Sequence, residues 1–137
     1  MDVVAGILFS HHKRVLVAQK SPTKIHSSGL WEFPGGKVEA GETHHQALVR
    51  ELKEELQITI GPTRFCDSIA SSDGLWNIHF YLTQAKAPTL PNEHLSLAWL
   101  SPTEDWPLEL CETDKKFINL NRDNVLKDLK TLIYSDY

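Results

Sequence analysis

The stretch GKVEAGETHHQALVRELKEELQI, Gly36 to Ile58, decides how the rest of the chain is read. Its second half has the pattern of an amphipathic helix. Thr43 followed three residues later by Gln46 is a capping-box pairing, so the helix is expected to start at about Thr43. At ~100° per residue, with Ala47 at zero, Glu51 falls near ~40°, Glu55 near ~80° and Glu54 near ~340°. The three carboxylates share an arc of roughly 100°. Leu48, Leu52, Leu56 and Val49 fill the next arc. One face therefore packs on a core, and the edge beside it is a dense acidic strip.

Two readings of that strip compete. Like charges at these spacings repel by roughly 0.2–0.5 kcal/mol per exposed pair, and an ordinary solvated face relieved by Arg50 at i,i+4 to Glu54 accounts for such text in most helices. A site for a hard divalent cation accounts for it as well, because Mg²⁺ favours carboxylate oxygens together with substrate phosphates. The residues upstream favour the second reading. Pro34-Gly35-Gly36 reads as a tight backbone turn before the helix. Five residues separate Gly36 from Glu42, and seven separate Glu42 from Arg50-Glu51. A glycine loop, a loop carboxylate and a capped helix with three clustered carboxylates make a metal–phosphate site.

With these residues in place, the stretch resembles the Nudix box: Gly, five residues, Glu, seven residues, then Arg-Glu-hydrophobic-x-Glu-Glu-x-Gly-hydrophobic. Gly36, Glu42, Arg50, Glu51, Leu52, Glu54, Glu55 and Ile58 match it. Gln57 departs from it, standing where the family has glycine at a position that wants a left-handed backbone. Gln there costs about 1 kcal/mol or shifts the helix end.

Bulk composition sets the frame. A chain of 137 residues with 41% hydrophobic and 23% charged content suits one soluble domain with a single core. A net charge of −4 argues against non-specific duplex nucleic acid as a partner, though not against a small anionic substrate held through a metal. Cys66 and Cys111 read as reduced thiols in a cytoplasmic protein. No apolar run approaches membrane-spanning length, and MDVVAGILF reads as a strand and not as a signal peptide.

Along the chain, Val3–Phe9 and Arg14–Ala18 read as a strand hairpin, and Leu30–Phe33 as a short strand. Gly61-Pro62 is expected to break the strand that begins after the box helix, with another running from Arg64 to Ser71. Ser72-Asp73-Gly74 reads as a hairpin turn leading to Leu75–Gln84, and Leu95–Leu100 as a further strand. Thr113 is the expected cap of a C-terminal helix, with Asn121–Asn124 an open question as a break. Strands with one helix mid-chain and one at the end give an α/β mixed sheet flanked by helices. The Nudix resemblance implies that family's α/β/α sandwich over a single domain, 1–137.

The resemblance extends to the MutT branch through LWEFPGGKVEAGE, EHLSLAWLSPTE and WPLE. It implies a hydrolase that splits nucleoside triphosphates into monophosphate and pyrophosphate, with 8-oxo-dGTP the best-known substrate. A side branch prefers CTP and modified pyrimidines such as 5-methyl-dCTP. It implies Mg²⁺, with Mn²⁺ as a substitute, on the Gly35 carbonyl and on Glu51, Glu54 and Glu55, with Arg50 orienting Glu51. Glu93 is implied as a further ligand or proton carrier, against a solvated loop carboxylate. The general base is Glu51 or Glu54.

For the substrate, Lys20 and Lys37 are candidates for the phosphates. Phe33 is a candidate stacking surface, whereas Trp31 reads as core. Asp114, near the start of the last helix, is the candidate for the base. Where both branches tend to carry an arginine after the hairpin turn, this chain has Leu75-Trp76. Rival readings are a non-catalytic nucleotide-binding module, which would typically lose box carboxylates, and a hydrolase for ADP-ribose or dinucleoside polyphosphates. An isomerase would want a cysteine at the site, and neither cysteine is placed there by this reading. A monomer or a homodimer is expected, either sanitising the nucleotide pool or clearing unusual pyrimidines.

Overall fold

In the computed structural model, residues 1–10, 12–19, 29–85 and 96–131 are described. Lys20 and Glu93, and most of the expected Ser21–Gly29 loop, lie outside them. The elements run β1 (Asp2–Phe9), β2 (Val15–Gln19), β3 (Trp31–Glu32), β4 (Gly35–Lys37), α1 (His44–Leu56), β5 (Ile60–Ala70), β6 (Asn77–Ala85), β7 (Ser96–Leu100) and α2 (Glu112–Thr131). Their strands form one mixed sheet in the order β3-β2-β1-β6-β5, with β4 also on β1 and β7 on β2. β1 runs parallel to β6, and the other pairings are antiparallel.

β1 is apolar almost throughout because both of its faces are covered. Val4 and Leu8 join Leu48, Leu52 and Leu56 of α1 in one core. Ala5, Ile7 and Phe9 join Phe80, Leu82 and the α2 residues Phe117, Val125 and Leu129 in the other. The strand period of two thus sorts side chains between two helix layers, giving the expected α/β/α sandwich. Each of the three α1 leucines is fully buried, which stabilises by roughly 1.5–3 kcal/mol apiece. Val49, expected beside them, is 40% exposed, since it lies at the far edge of the apolar arc.

Thr43 caps α1 as its sequence foretells. Its Oγ1 accepts from the Gln46 amide at 3.1 Å, and Gln46 Oε1 accepts from the Thr43 amide at 2.9 Å. Gln57 ends the helix in the left-handed region, at φ 55° and ψ 31°. The first turn of α1 is clamped onto the sheet through His44. Its Nδ1 lies 2.7 Å from the Tyr81 hydroxyl, and its ring stacks on His79 at 4.3 Å. His79 in turn reaches Asp2 at 2.9 Å.

Three expectations are corrected. Gly35-Gly36 is not a turn but part of a strand, with Ala5, Val4 and Val3 opposite Gly35, Gly36 and Lys37. The glycines serve close approach: a Cβ on Gly35 would collide with the Val4 carbonyl oxygen, and one on Gly36 with the Glu51 carboxylate. Gly61-Pro62 does not end a strand. The register shifts there within a continuous β5, and Thr83 Oγ1 donates to the Gly61 and Pro62 carbonyls at 3.2 and 3.0 Å. Finally, α2 opens at Glu112, so Thr113 lies inside its first turn, and the helix continues through Asn121–Asn124. The Asn121 amide is satisfied by Asp67 at 2.9 Å and by the Phe117 carbonyl at 3.2 Å, so this polar run does not break it.

Candidate active site

Arg50 is the hub of the box. Its Nε donates to Glu42 Oε2 at 2.8 Å and its Nη2 to Glu42 Oε1 at 2.9 Å, a bidentate pair. The remaining donors reach Glu51 Oε1 at 2.9 Å, the Lys37 carbonyl at 3.0 Å and, more loosely, Glu54 Oε2 at 3.4 Å. One guanidinium thereby fastens the loop carboxylate, strand β4 and helix α1 to one another. The hydrogen bonds from Arg50, with that from the Glu39 amide, hold the Glu42 carboxyl down at about 2. The hydrogen bonds to Glu42 and then Glu51 push Arg50 further above its ordinary value.

Glu51 lies against the backbone of Gly36, and both line a cleft of about 980 Å³ together with Gly35, Lys37 and Glu55. Glu54 has a side chain 61% exposed and stands outside the cleft wall. The far end of the cleft is built from β3 and the start of α2. Trp31 and Cys111 are tied by main-chain bonds: the Trp31 amide donates to the Glu109 carbonyl and the Cys111 amide to the Trp31 carbonyl, both at 2.8 Å. This brings Glu32, Cys111 and Asp114 together, with a potential ligand atom of each within 4.8 Å of the others. Among the described residues, the box glutamates form no such trio. The chemistry still favours the box for a hard cation, because a thiol is a soft ligand.

The structure places the expected residues unevenly. Asp114 is buried yet reaches the cleft. Phe33 borders the cleft, but its ring belongs to the core, edge-on to Phe80, Phe117 and Trp106 at 6.0 to 6.3 Å. Lys37 is exposed at the cleft, with Nζ 5.1 Å from the Trp76 ring centroid. Cys111, expected away from the site, lines it, and the pairing of β3 with the start of α2 is the cause. Cys66 lies elsewhere, and burial pushes its thiol up to about 11. Glu32, Asp73 and Trp76 are cleft residues that sequence reasoning missed as site residues. The turn itself carried a signal: Asp73 accepts from Ser71 Oγ and the Leu75 amide, which lowers its pKa, and Ser72 Oγ donates to Glu112 at 3.3 Å.

Charge decides what can enter. Among the described residues, Glu32, Glu39, Glu51, Glu55, Asp73, Glu112 and Asp114 line the cleft against one basic side chain, Lys37. Such a surface repels a polyanion unless cations intervene.

The NUDIX domain model matches residues 1–120. The chain belongs to the Nudix family. It is 36% identical over 112 residues to an 8-oxo-dGTP diphosphatase of Proteus vulgaris, covering 82% of this chain and 83% of that one. It is 38% identical over 117 residues to a CTP pyrophosphohydrolase of Escherichia coli K12, covering 83% and 85%. A MutT structure from a study of Aliivibrio salmonicida and Vibrio cholerae superposes with a TM-score of 0.76 at 27% identity, over 89% of this chain and 96% of the other. The E. coli ORF135 protein gives 0.69 at 32%, over 95% and 90%. The chain is thus a Nudix hydrolase, an enzyme of pyrophosphate bonds related to both kinds of diphosphatase. No helix among the described residues is long and apolar enough to cross a membrane.

Proposed function

We propose that this chain, acting as one domain, is a Mg²⁺-dependent nucleoside triphosphate pyrophosphohydrolase that converts 8-oxo-dGTP to the monophosphate and pyrophosphate. The observation that carries this reading is the continuity of one cleft, from Gly36, Glu51 and Glu55 at one end to Glu32, Cys111 and Asp114 at the other. The first end suits a polyphosphate and the second a base.

The residues present fit a divalent metal. Glu51 and Glu55 offer hard oxygen donors, Gly36 leaves room for the Glu51 carboxylate, and the excess of carboxylates over ammonium groups among the described cleft residues favours a cation at the site before a polyphosphate binds. Glu51 and Glu55 would hold Mg²⁺ from the cleft wall, with Glu54 and the Gly35 carbonyl completing the set, and Mn²⁺ would substitute. Such an ion, when bound, acidifies a water and offsets charge on the phosphate oxygens. Arg50 holds Glu51 in one orientation through the 2.9 Å bond, so no reorientation is needed during reaction. Glu51 or Glu54 takes the proton of the attacking water. Lys37 neutralises a non-bridging phosphate oxygen. Lys20 and Glu93 remain candidates from sequence.

At the base end, Glu32 and Asp114 offer acceptors to N–H edges, which 8-oxoguanine presents at N1, N2 and N7. An amino pyrimidine meets the same demand, and the relatives include enzymes named for each. The second reading is therefore a CTP or 5-methyl-dCTP pyrophosphohydrolase. Pyrophosphate release with Mg²⁺ across 8-oxo-dGTP, dGTP, CTP, 5-methyl-dCTP and ADP-ribose tests both. A lead of orders of magnitude in kcat/KM for 8-oxo-dGTP supports the first, and a cytosine nucleotide in front selects the second. No turnover of any of them overturns both.

A further inference from the structure

The cleft has an aromatic wall that neither the box nor the base-end carboxylates explain. Trp76, just before β6, is half-buried. Its amide donates to Ser71 Oγ at 3.1 Å and its carbonyl accepts from the Ser71 amide at 2.9 Å, so the indole sits on a fixed backbone. Over it lies the Lys37 ammonium, 5.1 Å from the ring centroid. The Lys37 backbone is equally fixed, opposite Val3 in the sheet and bonded through its carbonyl to Arg50. Its side chain is exposed. A flexible arm on a rigid root thus covers a rigid aromatic face.

These positions conflict in use. Among the described residues of the cleft wall, Lys37 is the one ammonium available to a polyphosphate. An exposed cation–π contact is weak, whereas a charge-assisted bond to phosphate and a base stacked on an aromatic ring are each stronger. A nucleotide that enters this cleft exchanges one weak contact for two stronger ones.

We propose that Trp76 is the stacking wall for the nucleobase, and that Lys37 caps it until the polyphosphate draws the ammonium away. This rests on the reading of the cleft as a nucleotide site. It has a consequence that a merely structural Trp76, or a lysine serving phosphate alone, does not share. Removing the ammonium weakens the triphosphate but strengthens the bare nucleoside, which no longer has to displace it.

The test uses the full chain as wild type, Trp76→Ala, Trp76→Phe and Lys37→Ala. Calorimetric titration with 8-oxo-deoxyguanosine and 5-methyldeoxycytidine measures the base alone, and steady-state hydrolysis of the two triphosphates measures the whole. Trp76→Ala is expected to raise KM about 10–100-fold while kcat moves about threefold or less, since stacking is present in ground and transition state alike. Trp76→Phe should keep most of the affinity. Lys37→Ala should raise KM for the triphosphate and tighten the nucleoside about 2–5-fold. An unchanged KM in Trp76→Ala, or a nucleoside weakened by Lys37→Ala, overturns the proposal. If circular dichroism shows Trp76→Ala unfolded, the opposite signs expected of Lys37→Ala decide it. If wild type hydrolyses neither triphosphate yet the nucleoside affinities shift as stated, the wall stands and the hydrolase reading falls.

Discussion

The two ends of the cleft are encoded differently. The Gly36 end comes from one unbroken stretch, in which β4, the Glu42 loop and α1 follow each other and Arg50 fastens all three. The Glu32 end is assembled from three distant pieces: β3, the β5–β6 turn and the start of α2. A contiguous site can be written as a spacing, because its geometry is that of a strand, a loop and a helix in sequence. A site that exists only after the sheet closes has no such signature. On the proposed reading, the first end carries reaction type and the second selects the substrate.

Disabling one end alone is the strongest way to break this division. Glu51→Gln keeps the shape of the cleft and removes one charge beside Gly36. It is expected to lower kcat by roughly 10²–10³-fold, the scale of losing one preorganised electrostatic contact. Nucleoside affinity measured by calorimetry should not move. A variant that loses nucleoside binding as well shows that the two ends are not separable.

Asp114→Asn is the complementary change. It turns a buried acceptor into a group that also donates. The ratio of kcat/KM for 8-oxo-dGTP over CTP should shift by about 10–100-fold, the effect of one mismatched buried hydrogen bond. Hydrolysis of the better substrate should keep kcat within about tenfold of wild type. An equal loss on every nucleotide would assign Asp114 to folding or to chemistry instead.

Acid sensitivity separates the contributions next. Glu42 is held at about 2 against an ordinary 4.5, so its contribution is complete above 4.5 and is lost as pH falls toward 2. Arg50→Met releases the carboxyl, and acid unfolding followed by circular dichroism should begin at higher pH. His44 acts in an earlier window. Burial and the neighbouring His79 lower its pKa, outweighing Asp2, so the folded chain favours its neutral form. Stability is complete above about 6.5, the ordinary histidine value, and declines as pH falls below it. His44→Gln should flatten the dependence of Tm between pH 7 and 5, and a slope unchanged from wild type would remove His44 from the account.

The sequence made the layers of the fold plain where periodicity is strong. The Thr43–Gln46 box, the Leu48-Leu52-Leu56 stripe and the apolar run of β1 each have one physical solution. It misled where one residue type has two uses. Gly35-Gly36 reads as a turn by conformational freedom, yet both glycines are required by close approach inside a strand. Pro62 reads as a break, yet it sits at a bulge where its missing N–H leaves no ladder bond unmet. Cys111 and Glu32 carried no local signal because their meaning lies in main-chain pairing across the fold.

The smallest expected effect concerns the one place where the readable end breaks its own pattern. Gln57 holds a left-handed backbone while its amide bonds to the Leu52 and Lys53 carbonyls and the Ile58 amide also reaches Leu52, at 3.3 Å. These bonds close the helix and turn the chain so that Ile58 is buried at the foot of α1. The geometry that glycine serves in the family is therefore kept without glycine, and the strain falls on the Gln57 backbone, at about 1 kcal/mol. Gln57→Gly should relieve it and raise Tm by roughly 1–2 °C in thermal unfolding, once the greater freedom glycine gains in the unfolded chain is subtracted. Because Gln57 is exposed and lies beyond the carboxylates, kcat should not change. A fall in Tm would mean that the glutamine side chain contributes more than its backbone costs, and a change in kcat would mean that the end of α1 helps to position Glu54 and Glu55.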